Sequence, residues 1–403
     1  MSVIGNTALK FSEEQAMLLD VAREFCKNKS PMPSVRAQLE TDSGYDAALW
    51  DEMVALGWTG IALPESCGGS AMGVTTVVPV VEAMGRAMLG TPMISTTLAA
   101  QLLLRAGGAS RMESLLSDIA AGTIATIAQL ENADWGDASL ACSVDADGVL
   151  HGRKTFVSDA AAAQLFIVVV EHQGEPALAI VGADQLGAQA IVSNTLIDQT
   201  KRSATVDFTG VTVARDAMLT GSAVSSALHD LRLLGALLVA AEATGSAASC
   251  LDTVVEYLKT RKQFGKLIGS YQALKHPTVD ILTAVDSGRS FIYHAATLVG
   301  DEPLERDAEI ACRMAKAHAT ETLLYAGDRA VQFHGGMGFT YECDAQLYIR
   351  RAQWTQQEYG DAQHHRKRLA ALLLDQDPLL PPAVVIVDTC HLPQDCSAYN
   401  KRD

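Results

Sequence analysis

From Leu228 to Leu258 the chain is rich in alanine, leucine and valine and contains no proline, and this run limits the possible folds more than any other. It reads as one long helix. Ala308 to Phe333 reads as another. Helices of that length hold when they pack along each other, so the helical texture from about Ala223 to Leu374 predicts a bundle. The first part of the chain, to about residue 120, is also helical. Phe11 to Phe25 places apolar residues at helical spacing, with Ser12 as an N-cap. Trp50 to Trp58 is a second amphipathic piece, and the turn residues of Leu63-Pro-Glu-Ser-Cys-Gly-Gly69 end it.

Between the two helical regions the texture changes. From Ile124 to about Val213, short β-branched runs such as Leu165–Val170, Ala177–Val181 and Ala204–Phe208 alternate with Gly, Asp and Asn. Asp145-Ala-Asp-Gly148 reads as a hairpin turn. The expectation is an α+β chain in four parts. They are an N-terminal helical domain (1–122), a middle antiparallel β-domain (123–218), a C-terminal four-helix bundle (219–375) and an irregular, Pro-rich tail (376–403). No repeat is visible, and no Gly-rich phosphate loop follows a strand.

Charge bounds the partners. Lys and Arg number 31 against 47 Asp and Glu, a net charge of −16 over 403 residues. That balance argues against nucleic-acid or anionic-membrane binding, and leaves room for a local basic pocket around a phosphorylated cofactor. The start lacks a basic region followed by an apolar core, and every apolar stretch is interrupted, so neither a secretory signal nor a membrane span is expected. The cysteines (Cys26, Cys67, Cys142, Cys250, Cys312, Cys343, Cys390 and Cys396) form no CxxC pair. Free thiols in a cytoplasmic protein, and no metal site, are the reading.

Several segments carry chemistry. They are Leu63–Gly69, Gly152-Arg-Lys-Thr-Phe-Val-Ser158, Tyr257-Leu-Lys-Thr-Arg-Lys-Gln-Phe-Gly265 with Tyr271-Gln272, and Gln332-Phe-His-Gly-Gly336. An arginine fork suits a pyrophosphate, glutamines bond polar edges, and paired glycines let backbone approach a ligand closely. Singly, each segment is as readily a surface arginine or a helix break. In this order, on a helical–β–helical frame, the chain resembles the acyl-CoA dehydrogenase family from about Phe11 to Leu373.

The resemblance implies FAD held between the β-domain and the bundle, with its adenosine half contacted across a subunit interface. It assigns cofactor contacts to Glu131, Phe156, Val157, Ser158, Arg261, Gln263, Phe264, Gln272, Gln332, Gly335, Gly336 and Gln363. Ser158 falls beside flavin N5. Where the family has Thr-Glu-Pro, this chain has Leu130-Glu131-Asn132, and the following Asp134-Trp135 resembles bacterial members acting on steroids and other bulky acids. The implied reaction is α,β-dehydrogenation of an acyl-CoA thioester by an oligomer that passes electrons to an electron-transfer flavoprotein or similar acceptor. A carboxylate removes the α-proton and the flavin takes the β-hydride.

That carboxylate is missing from both of the family's usual positions, which hold Tyr359 and Gly235. A phenol with a pKa of about 10 is a poor base. Glu358 is one residue away, and Asp361 follows Gly360 where the family often has a threonine. Glu242 lies two turns from Gly235, about 10 Å along the helix, and reads rather as a buried salt-bridge partner. Lys201-Arg202 and Gln363–Arg368 read as solvated basic faces or CoA-phosphate contacts. Three functions stay open: a dehydrogenase with a relocated base, a base-lacking partner subunit in a heteromer, and a flavin-dependent oxidase or oxygenase on the same fold in which Asp361 matters.

Overall fold

A computed structural model describes residues 13–136, 139–301 and 303–374, with side chains from Met17 onward. Ser12, the 376–403 segment, Cys390 and Cys396 lie outside the described residues. The N-terminal part contains α1 (Glu13–Lys29), α2 (Met32–Gln38), α3 (Ala47–Ala55), α4 (Val77–Arg86), α5 (Met93–Gly107) and α6 (Ala109–Ala120). The chain ends α3 well before Trp58, because Gly57 takes a left-handed conformation (φ +76°) and Trp58–Gly60 forms a separate 3₁₀ turn.

The middle part contains β1 (Ala125–Ala128), β2 (Ser143–Val144), β3 (Leu150–His151), β4 (Arg153–Ser158), β5 (Leu165–His172), β6 (Glu175–Gly182), β7 (Ile191–Ser193), β8 (Ser203–Asp207) and β9 (Met218–Leu219). One sheet runs β3-β2-β5-β6-β9 with β1 also on β5, and a second runs β4-β8-β7. The Asp145–Gly148 turn does join an antiparallel pair, β2 and β3. The sheet is nevertheless mixed rather than wholly antiparallel, since β1 and β2 both run parallel to β5. β5 is enclosed, and the run Leu165–Val170 is buried at every residue, as an uninterrupted apolar strand requires.

The C-terminal part begins with α7 (Ser222–Thr260). A β-hairpin of β10 (Lys262–Gln263) and β11 (Lys266–Leu267) follows, then α8 (Gln272–Leu298), α9 (Arg306–His334), α10 (Ala345–Gln357) and α11 (Ala362–Leu374). α7 is the axis of the molecule and packs on α4, α5, α8, α9 and α10. Its length and apolarity would suit a membrane span, but its most apolar stretch is 94% buried in protein. α4 crosses it backbone to backbone. A Cβ on Gly85 would fall 2.2 Å from the Glu242 carbonyl, and one on Gly245 would fall 2.0 Å from that of Glu82. The last segment of the bundle is two helices rather than one, because Tyr359 (φ +58°) and Gly360 (φ +96°) break it between α10 and α11.

Candidate active-site cleft and cofactor surface

The break after α10 faces a cleft where the three parts of the chain meet. Its walls include Ser95 of α5, Phe156 and Ser158 of β4, Val239 of α7, Trp354 of α10, and the Glu358-Tyr359 corner. Trp135, on the loop after β1, also enters it.

Positions 235 and 359, which the resemblance gives to a base, meet beside it. A Cβ placed on Gly235 would lie 2.4 Å from Cε1 of Tyr359. The phenol ring therefore fills the space that a side chain at 235 would need. It also lies 5.3 Å from the Trp135 ring, centroid to centroid. Trp135 lies 6.4 Å from Trp354, and Trp354 lies 6.1 Å from Phe156. These are direct aromatic contacts. A bulge between Lys154 and Val157 interrupts the β4–β8 pairing and puts Phe156 at φ +50°, inside that group. Val157 is buried in the core instead. Burial, with Glu358 and Asp159 nearby, raises the Tyr359 pKa above its ordinary value, so the phenol stays protonated.

The three candidate carboxylates separate clearly. Asp361 accepts the backbone N–H of His364 at 2.7 Å and caps α11. Glu242 is 1% exposed and accepts from Lys201 Nζ at 2.5 Å, with Arg351 at 3.8 Å. Arg351 in turn pairs with Asp198 at 3.2 Å. It joins α7 to the β8 approach and to α10 as part of a buried ion network. Glu358 alone lines the cleft. It is 8% exposed, one of its oxygens has no hydrogen-bond partner, and burial raises its pKa to about 7 against the pull of Lys201 and Lys316. Sequence reading passed over Lys316. It is fully buried and donates to the carbonyls of Thr355, Gln356 and Gly360, at 2.9, 3.3 and 2.9 Å, which pins the corner. Nothing local in the sequence marks that role, because the three acceptors are backbone atoms of α10 and of the break that follows it.

The predicted cofactor residues divide into two groups. Glu131 accepts from the backbone of Ala141 and Cys142 and pairs with Lys154 at 2.6 Å, so its carboxylate is spent on closing the loop that carries Trp135. Ser158 and Phe156 stand on the cleft wall. Gln363 is on the exposed side of α11. The other group lies at the far end of α7. Arg261, Gln263, Phe264, Gln272, Gln332, Gly335 and Gly336 are all exposed. The Tyr257 ring stacks on His334 at 4.1 Å, which brings the Arg261 hairpin beside the end of α9. Arg261 forms no ion pair among the described residues. Val239 on α7 and Arg261 just past its end are 22 residues apart, about 33 Å at about 1.5 Å per residue. The hairpin surface is thus remote from the chain's own cleft and turned outward.

Two arginines of the basic segments have partners, while Lys367 and Arg368 lie on the exposed face of α11. Arg202 donates to carbonyls of Gln38, Thr41 and Gln199, and Arg366 grips Glu321 with both of its terminal nitrogens.

Residues 224–374 match the model of the acyl-CoA dehydrogenase C-terminal domain, and residues 12–123 that of its N-terminal domain. The acyl-CoA dehydrogenase IpdE2 of Mycolicibacterium smegmatis is 30% identical over 89% of this chain and 99% of its own length. The chain belongs to the acyl-CoA dehydrogenase family. It is therefore an FAD-dependent oxidoreductase. Among solved structures, a variant of the Tcur3481–Tcur3483 steroid acyl-CoA dehydrogenase superposes with a TM-score of 0.77 at 26% identity, over 89% of this chain and 97% of that one. The ChsE4–ChsE5 complex of Mycobacterium tuberculosis shares the fold, with a TM-score of 0.80 at 24% identity over 91% and 99% of the two chains. The caffeyl-CoA reductase–Etf complex subunit CarC of Acetobacterium woodii is 26% identical over 90% of this chain and 99% of its own.

Proposed function

We propose that this chain is the base-lacking subunit of a heteromeric, FAD-dependent acyl-CoA dehydrogenase that acts on a bulky, steroid-like acyl-CoA. The carrying observation is the Tyr359 ring seated against Gly235, so that both base positions and the space between them are taken by a phenol. The Tyr359, Trp135, Trp354 and Phe156 rings contact one another in series on the cleft wall. In contrast, the exposed Arg261–Gln263 and Gln332–Gly336 surface suits the pyrophosphate and adenosine of a dinucleotide held mainly by a homologous partner. That the Tcur3481–Tcur3483 relative is a steroid enzyme named as two chains supports both the heteromer and the substrate class. The CarC relative favours an electron-transfer flavoprotein as acceptor.

FAD, when bound, supplies the hydride acceptor. This chain's contribution is to hold it. Arg261 offsets phosphate charge, Gln263, Gln272 and Gln332 offer amide groups, and Gly335 and Gly336 present backbone without a Cβ. The partner supplies the carboxylate that takes the α-proton. The described cysteines are all free, which suits a reducing compartment such as the cytoplasm.

A second reading rests on Glu358, whose unpartnered oxygen and pKa near 7 suit a general base. Co-production with a homologous subunit separates the two. The heteromer is expected to carry one FAD per two chains. The chain alone should be colourless, and Arg261→Ala should lower flavin content without lowering the melting temperature. A yellow single-chain protein that an acyl-CoA bleaches under anaerobic conditions, with bleaching lost in Glu358→Gln, would overturn the proposal in favour of the second reading.

A further inference from the structure

The cleft that lacks a base does not lack recognition chemistry. Trp135, Phe156, Trp354 and Tyr359 line it together with two carboxyl groups, Asp159 and Glu358. Asp159 accepts from Ser95 through one oxygen. Glu358 keeps an oxygen without a partner although the residue is 8% exposed. A buried carboxylate oxygen in that position calls for a donor.

The cations on the same walls do not provide one. Lys201 Nζ is held 2.5 Å from Glu242. Arg202 spends its guanidinium on backbone carbonyls, and Lys316 lies behind the corner on three more. Of the buried polar atoms without a partner on these walls, Glu358 Oε2, Trp354 Nε1 and Thr91 Oγ1, the carboxylate oxygen is the one that bears charge beside the aromatic faces. Aromatic rings attract a cation placed over them, more strongly when it is desolvated, and a carboxylate accepts its N–H groups. An apolar acyl chain would leave the Glu358 oxygen with nothing to bond.

Accepting that this chain's own cleft is not the dehydrogenation site, we infer that it is a binding site for a small organic ammonium ion, with the alkyl part against Trp135, Phe156 and Trp354 and the N–H groups on Glu358 and Asp159. Acidity gives a second signature. Burial raises Asp159 to about 6 and Glu358 to about 7, with Lys201, Arg202 and Lys316 opposing and Glu242 and Asp198 reinforcing. An alkylammonium stays charged throughout that range. Its affinity should therefore rise as pH climbs through 6 and 7 and both carboxyl groups ionise.

The test uses the assembled heteromer, titrated with butylammonium chloride and separately with 1-pentanol, a neutral molecule of similar shape, at constant ionic strength. Tryptophan emission and heat are followed. Saturable ammonium binding about tenfold or more tighter than the alcohol is expected. It should weaken in Asp159→Asn, in Glu358→Gln and in Trp135→Leu. Equal affinity for the two probes, or no saturation below about 100 mM ammonium, overturns the inference without recourse to any variant. Flavin content, measured on the same samples, keeps the two ideas apart. One FAD per two chains with no ammonium selectivity defeats the inference alone. One FAD per chain defeats the functional reading on which it rests.

Discussion

At Tyr359 a single side chain decides what the residues around it can do. Its left-handed backbone and the absence of a Cβ at Gly235 are one arrangement, because the ring lies where that Cβ would be. Gly235→Ala should destabilise the chain by about 1–3 kcal/mol through overpacking, and Tyr359→Ala in the same chain should remove most of that added cost. Urea unfolding of the two single variants and the double variant checks this, and additive losses would contradict it. Glu242 belongs to the same scale. Truncating it to alanine leaves Lys201 and Arg351 charged and without their shared carboxylate. A loss of about 3–5 kcal/mol is expected. Glu358 has the opposite character, for its carboxyl is raised from 4.5 to about 7 by burial. An acid with a raised folded-state pKa contributes stability that is full below pH 4.5 and is lost as pH rises through 7. Stability measured against pH should therefore fall across that window in the wild type relative to Glu358→Gln. A difference that stays flat would mean the carboxylate is solvated or paired.

At the level of elements, long periodic stretches were legible and pairings were not. The run from Leu228 to Leu258 sits inside α7, and Ala308 to Phe333 inside α9, because helical hydrogen bonds are local and apolar length declares itself. The direction in which β1 and β2 meet β5 is a contact across many residues, and the sequence around Ala125 does not reveal it. The β10–β11 hairpin shows an element that keeps a strained residue. Phe264 is 90% exposed at φ +52° and is followed by Gly265 at φ +76°, a turn that asparagine or glycine would adopt more easily. Phe264→Asn should raise the stability of the isolated chain by up to about 1–2 kcal/mol in thermal unfolding. The same substitution should weaken assembly with the flavin-bearing partner, measured by sedimentation. Greater stability with undiminished assembly would mean that the strain serves no contact.

For the whole molecule, sequence alone determined the family, the helical–β–helical order and the absence of an acid at residues 235 and 359. All of these follow from residue identity along the chain. It also offered Phe156–Ser158 and Arg261–Gly265 as cofactor segments. Only the folded chain decided what those residues mean. It put Tyr359 against Gly235, gave Glu242 to Lys201 and Arg351, made Asp361 a helix cap, and left Glu358 as the carboxylate on the cleft wall. It also separated the hairpin surface from the cleft by about the length of six helical turns. The physical reason is range. Propensity and periodicity act between neighbours, whereas the state of a carboxylate depends on which charges and which apolar walls distant segments bring to it.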